Sequence, residues 1–358
     1  MFKKLFILSI MAAMPFVAFT QAIEEVTVTA TRKSESVQDI ALSVQVLSAE
    51  DIGENKILNA ADLQQLIPGF TYVQGLGSGS GYSIRGLSVP ATGSATTAAA
   101  GSAVNNHYVN PTIIGYIGFM DAENVQVLEG PQGTLYGRNT TTGLMNVVTN
   151  TYGAGNYVSA NTGEDGYGVV KLGYDLDLGL DNVTARLAYQ AKTKDGMVFN
   201  KVTDTDIDSR DASSGRISLA FDAASNQTIN LMYEHHEADD NRLNRGAAMC
   251  SREAFYGCSP LERGDINEPY MISGTVSNTW ADLTQTNRLA TAPALGKVDY
   301  YAGSEALAGN SIDQVYKTRN LEHAFDYDLV QLEHVWDISD ELEMTSKYSY
   351  SDWDFRQV

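Results

Sequence analysis

The chain has 358 residues, 43% of them apolar, and a formal net charge of −20. A surface this acidic repels phosphates, which excludes nucleic acid as a partner, since such partners need a basic surface. The 31 Gly and 19 Tyr, with apolar residues dispersed by alternation instead of gathered into runs, suit a turn-rich strand protein with aromatic belts.

Lys3 and Lys4 precede an apolar run from Leu5 to Phe19, broken by Pro15, and Thr20-Gln21-Ala22 follows at the positions a signal peptidase reads. Cleavage is expected after Ala22. The alternative, an N-terminal membrane anchor, is disfavoured because the run falls short of the ~20 residues a spanning helix needs. No later stretch approaches that length, so entry into a membrane would require a closed β-barrel. Export also sets the redox setting: Cys250 and Cys258 fall in a loop, and an oxidising compartment favours a local disulfide between them.

The first mature segment, Glu25-Val26-Thr27-Val28-Thr29-Ala30, is strand-prone but has no evident hairpin partner, and so could add itself to the sheet edge of another protein. An ordinary first strand of a domain is the plainer reading. Residues 36–150 then read as one small α+β domain. Val37 to Leu47 alternates like a strand; Ser48 and Asp51 form a loose capping box for a short helix; a second helix is expected from Asn59 to Ile67, ended by Pro68-Gly69. A Gly/Ser-rich stretch from Gly75 to Gly81 leads into Ser83-Ile84-Arg85-Gly86. Residues 91–103, rich in Ala, Thr, Gly and Ser, read as an apical loop, and Asn105-Asn106 as a two-residue turn. The run ENVQVLEGPQGTLYGRNTTTGLMNVVTN, Glu123 to Asn150, places tight-turn residues Gly130, Pro131 and Gly133 between two β-rich segments.

Beyond Asn150 the pattern becomes short alternating strands: 157–162, 167–175, 183–192, 215–221, 228–236, 328–336 and 343–353. One apolar and one polar face suits a barrel with lipid outside and a wet lumen; a soluble sandwich makes the same pattern with the sides inverted. The short connections 176–182, 222–227 and 337–342 alternate with the longer 195–214 and 237–327, the pattern of outer-membrane barrels. With the first strand running upward from the periplasm, both cysteines fall in the longest extracellular loop.

The run from Glu123 to Asn150 closely resembles the end of the plug domain of TonB-dependent outer-membrane receptors. Leu63 to Phe70 resembles the plug's LxxLIPGF, and Ile84-Arg85-Gly86 its IRG motif. The resemblance implies an α+β plug followed by part of an antiparallel transmembrane β-barrel, about 22 strands when whole against about seven here. It implies domains at 1–22 (signal peptide), 23–35 (TonB box and linker), 36–150 (plug) and 151–358 (incomplete barrel). Glu25, Val26, Thr27, Val28, Thr29 and Ala30 become a TonB box for a periplasmic energy transducer. Arg85, Gly86, Gly130, Pro131, Gly133, Tyr136, Gly137, Arg138, Asn139, Gly143 and Asn146 become plug motif residues. The implied function is active uptake of a scarce nutrient across the outer membrane, with an iron–siderophore complex the commonest cargo. Partners are the transducer, outer-membrane lipid and the small ligand; no cofactor is expected. Alternatives are a plug-bearing fragment without transport, a surface binding or signalling receptor and, less favoured, a passive porin.

Three positions depart from the family pattern: Thr142 stands for Gly, Leu144 for Ala and Glu129 for Arg. Arg85 and Arg138 are expected to meet acids on the barrel wall, and Glu129 to reverse one such contact. Seven strands cannot surround a folded plug, and Gln357-Val358 lacks a terminal aromatic, so the chain reads as the front part of a receptor that cannot transport by itself. No catalytic constellation is found. Asp204-Thr205-Asp206-Ile207-Asp208 lacks the Gly and Glu of a calcium loop. His235 and His236, adjacent on a strand, point to opposite faces and cannot easily share one metal.

Overall fold

The computed structural model describes residues 27–29, 31–33, 35–38, 40–74, 80–87, 98–110, 117–200, 204–241, 251–253, 257–259, 314–315 and 322–357. The signal peptide expected at 1–22 lies outside them, as do Glu25, Val26, Ala30 and Cys250, and so does the side chain of Cys258. The chain divides into two units, Met1–Ala41 and Leu42–Val358.

In the first unit, β1 (Thr27–Val28) pairs antiparallel with β2 (Glu35–Ser36), Thr27 opposite Ser36 and Val28 opposite Glu35. The expectation of a strand without a hairpin partner is therefore corrected. The intervening turn closes through Arg32 N to Thr29 O at 2.8 Å, with Arg32 at φ 65°, and Thr31 Oγ1 donates to Glu35 Oε2 at 3.1 Å. Local side-chain bonding of this kind gives the segment a partner that alternation alone did not reveal.

The second unit opens with a five-stranded mixed sheet in the order β3-β8-β9-β6-β7: β3 (Ser43–Ser48), β6 (Ala100–Val104), β7 (His107–Val109), β8 (Ala122–Glu129) and β9 (Gly143–Thr149). Between β3 and β6 stand α1 (Ala49–Glu54), a 3-10 turn (Asp62–Gln65) and the hairpin β4 (Phe70–Gln74) and β5 (Ser80–Ile84). The capping box forms as read: Asp51 N donates to Ser48 Oγ at 3.1 Å and Ser48 N to Asp51 Oδ2 at 2.9 Å. The helix expected at 59–67 is only the short 3-10 turn. Asp62 Oδ2 accepts from the amides of Leu58 and Asn59 (2.8 and 3.1 Å), which tightens this stretch below a full α-turn. Residues 100–103, read as part of a loop, are strand β6, buried and parallel to β9. Small side chains are needed there: a Cβ on Gly101 would lie 3.1 Å from Leu144 Cδ1. Ile52, Leu63, Ile67, Phe70, Tyr82, Ile84, Val125, Val127, Met145 and Val147 form the core under this sheet.

A seven-stranded, wholly antiparallel sheet follows: β10 (Tyr157–Thr162), β11 (Gly168–Leu176), β12 (Val183–Lys194), β15 (Arg210–Ala224), β16 (Gln227–Asp240), β20 (His323–Ser339) and β21 (Leu342–Gln357), hydrogen-bonded in that order. It is open, with β10 and β21 at its edges. Five of the strands run longer than the apolar alternation suggested. β16 and β20 stay paired up to Asp240 and His323, and β20 and β21 up to His323 and Gln357, because backbone pairing continues where outward side chains have turned polar. The connections read as plain loops hold small ladders: β13 (Val198–Asn200) with β14 (Thr205–Ile207), β17 (Ser251–Glu253) with β18 (Gly257–Ser259), and β19 (Gln314–Val315) parallel to β13.

The two faces of the seven-stranded sheet differ. Val170, Tyr174, Tyr189, Ile217, Leu231, Tyr233, Val330, Tyr348 and Tyr350 are exposed on one side. On the other, Arg186, Gln190, Arg216, Glu234, His236, Tyr327 and Gln331 are buried. An apolar surface on the solvent-facing side is what a wall set in lipid requires, and the inverse of a soluble sandwich. The polar side is covered by the five-stranded domain, whose Val109, Ile117 and Phe119 share one core cluster with Met232, Phe325, Tyr327 and Leu329 of the wall.

Candidate functional site

The junction between the plug-like domain and the wall is built around Asp121. It sits at φ 46° in the turn before β8, where Asn150 N donates to its carbonyl (3.0 Å) and Asn150 Nδ2 to its Oδ1 (2.9 Å). That turn presents the carboxylate to two arginines on the inward positions of β12 and β15. Arg186 grips it bidentately, Nε to Oδ2 at 2.8 Å and Nη2 to Oδ1 at 2.9 Å. Its Nη1 reaches Asp175 Oδ1 (2.6 Å) and Gly155 O (3.1 Å). Arg216 Nη2 donates to the carbonyls of Met120 and Asp121, both at 3.0 Å, and its Nη1 to Glu234 Oε2 at 3.2 Å. Side-chain exposures of 2%, 3% and 0% for Arg186, Arg216 and Asp121 put the network out of water. Charges so buried hold only when geometry and hydrogen bonds are complete, as they are here. Gly173 makes room for it: a Cβ there would lie 2.5 Å from Arg186 Nη2 and 2.9 Å from Asp121 Oδ1.

Sequence reading missed this network. Arg186 was visible on the polar face of its strand, but nothing in the chain order announced Asp121 as its partner 65 residues away.

A second anchor is the turn between β6 and β7. Asn105 and Asn106 take φ 50° and 64°, the left-handed pair that the expected two-residue turn requires. Asn105 Nδ2 approaches Gln331 Oε1 at 3.4 Å, and Gln331 Nε2 donates to Val104 O at 3.0 Å, tying the turn to β20. Asn106 Oδ1 accepts from Tyr136 Oη and Asn146 Nδ2, both at 3.0 Å. Tyr136 and Asn146, both expected from the sequence as plug motif residues, thus meet around one turn.

The other motif residues lie together at one end of β8 and β9. Gly130 (φ 94°), Pro131, Gly133 and Gly137 (φ 77°) shape the turn that carries α2 (Gly133–Tyr136), and Asn139 (φ 69°) and Gly143 lead into β9. Gly143 has no room for a side chain, being pressed against Leu128 O and Ile84. Among the described residues Arg85 forms its ion pair with Glu129 and not with the wall. With Gly86 it forms a left-handed turn (φ 57° and 73°) and pairs with Glu129 within the same domain, Nε to Oε2 at 2.9 Å and Nη2 to Oε2 at 2.6 Å. Glu129 also accepts from Ser43 Oγ (2.9 Å) and Gln45 Nε2 (3.0 Å), so its partners lie inside the domain. Burial pushes its carboxyl up, but the bonds from Ser43, Arg85 and Gln45 outweigh this and hold it below the usual range. Arg138 is exposed and makes no ion pair among the described residues.

Residues 36–144 match the TonB-dependent receptor plug domain family model. The chain carries a TonB-dependent receptor plug. The vitamin B12 transporter BtuB of Vibrio vulnificus is 30% identical over 154 residues, 40% of this chain and 24% of that protein. Two solved structures share the fold of plug and wall: the ferric yersiniabactin uptake receptor FyuA from Yersinia pestis, with 14% identity, TM-score 0.64 and coverage of 88% of this chain and 41% of that one; and the siderophore receptor PiuA from Acinetobacter baumannii, with 16% identity, TM-score 0.61 and coverage of 90% and 38%. The chain therefore spans about a quarter of the curated relative and about two-fifths of these solved receptors. Plug and wall place it in the outer membrane.

The remaining candidates separate. His236 is buried on the lumenal side, its Nδ1 2.7 Å from Ser214 Oγ, while His235 faces outward to Asp328 at 3.0 Å. The two histidines lie on opposite faces, as strand geometry dictates. Among the described residues no group of three His, Cys, Asp or Glu could hold a metal. Asp206 lies in β14, and Asp208 pairs with Arg210 at 3.0 Å, so this stretch is a ladder end where a solvated loop was expected.

Proposed function

We propose that this chain is the plug and first wall strands of an active importer, in which a periplasmic TonB-type transducer engages Glu25–Ala30 and displaces the plug to admit a scarce nutrient. The observation that carries the reading is the plug's seat: it lies on the lumenal wall through Asp121, Arg186 and Arg216, where a pull on the N-terminal segment has a defined contact to break. We further propose a signal peptide at 1–22, the TonB box and linker at 23–35, the plug at 36–150 and the wall from 151. A Cys250–Cys258 disulfide would lie in the extracellular loop. No reaction is assigned to the chain. The cargo we favour is an iron–siderophore complex, supported by FyuA and PiuA, each named as a receptor for such a complex or siderophore. Cobalamin is the second reading, supported by the vitamin B12 transporter among the relatives.

In the receptor that contains this chain, Val28→Pro removes a pairing N–H from the box. Energised uptake of radiolabelled ferric siderophore is expected to fall to background while equilibrium binding at the cell surface is retained. Unchanged uptake would reject the box assignment; uptake of labelled cobalamin in place of the iron complex would favour the second cargo.

A further inference from the structure

A cavity of about 360 Å³ lies between the plug and the lumenal face of β10 and β11, within the ~300–1,000 Å³ of small-molecule pockets. Its plug side is apolar, with Ile52, Leu58 and Phe119; its wall side presents Tyr157, Tyr167 and Lys171. Charge in the cavity is one-sided. Asp121 reaches its rim, but both carboxylate oxygens are taken by Arg186. Asp62, the acid whose field reaches Lys171, already accepts from the Leu58 and Asn59 amides at 2.8 and 3.1 Å. Lys171 is half-buried and stands between Ser159 and Gln190 in the sheet register, and its ammonium makes no hydrogen bond or ion pair among the described residues. The ammonium of Lys56, an exposed residue at the same cavity, makes none either. An ammonium removed from water without a counter-charge is unfavourable unless something of opposite sign meets it.

We propose that this cavity binds a small amphipathic anion of the aryl carboxylate class. The carboxylate pairs with Lys171, the ring lies between Tyr157 and Tyr167, and the apolar body packs on Ile52, Leu58 and Phe119. The site is independent of the cargo reading, because it follows from the cavity's lining and not from uptake.

The test titrates the full chain in detergent micelles with 2-naphthoate and with its neutral counterpart, 2-naphthylmethanol, subtracting partition into empty micelles. Naphthoate is expected to bind saturably and at least about tenfold tighter than the alcohol, the range of one charge-assisted hydrogen bond. Lys171→Gln should abolish that preference and Lys171→Arg retain most of it. Equal affinity of the two probes for the wild-type chain, no saturable naphthoate binding, or an undiminished preference in Lys171→Gln overturns the proposal. The wild-type comparison needs no variant, so it decides the matter even where near-ultraviolet circular dichroism shows Lys171→Gln unfolded.

Discussion

At Asp121 one buried carboxylate meets two buried guanidinium groups. Removing one partner of a buried pair costs about 3–5 kcal/mol, because the charge left behind is uncompensated. Arg186 keeps Asp175 and Arg216 keeps Glu234, so Asp121→Asn is expected at the lower end, near 3 kcal/mol. Urea unfolding of the chain in micelles, followed by tryptophan fluorescence, measures it, and a loss under about 1 kcal/mol would refute this account of the junction. Glu129 gives a pH signature of known sign. Its folded carboxyl titrates below the unfolded one, so its contribution is complete above the unfolded value, about 4.3, and fades as pH falls through the folded value. The stability difference between the wild-type chain and Glu129→Gln is expected to be flat above about pH 5 and to shrink on further acidification. A difference that grows toward low pH would contradict the pairing with Arg85.

Among the elements, the wall strands show how one alternating pattern serves two surroundings. On β16 the outward positions run from Leu231 and Tyr233 to Glu237 and Asp239, while the inward positions are Met232, Glu234, His236, Ala238 and Asp240. The apolar outward positions mark the lipid-facing stretch; above it the ladder continues with polar side chains. Leu231→Arg places a charge on that face and is expected to destabilise insertion by up to ~2–4 kcal/mol, the midplane value. Reversible unfolding in lipid vesicles reads this, and a neutral result would remove Leu231 from the lipid face. The short 3-10 turn at Asp62–Gln65 and the buried strand β6 differ from the sequence reading for two reasons. The turn is set locally, by Asp62 bonding back to the Leu58 and Asn59 amides, whereas β6 is set by residues distant in the chain, Gly101 and Ser102 closing against β9.

At the scale of the molecule, hydrogen bonds among the described residues tie the plug to the wall through the Asp121 network and the Asn105–Gln331 turn, over a shared apolar cluster. Replacing Arg186 and Arg216 together by Leu is expected to raise hydrogen exchange in β8 and β9 while the amides of β16 and β20 stay protected, since local openings follow the contacts that are lost. Uniform exchange across both parts would show that plug and wall open as one unit.

The plug-like domain, the seven wall strands and the left-handed Asn105-Asn106 turn were legible in the sequence. Each rests on local information: a motif string, a period of two, or residues that tolerate positive φ. The sequence could not say which face of the wall meets lipid, because period-two alternation is symmetric; only the covering of the polar face by the plug decides it. Nor could it join Asp121 to Arg186 and Arg216, or Arg85 to Glu129. Ion pairs between residues far apart in the chain exist only once the backbone has brought their carriers together, and that is the work of tertiary structure.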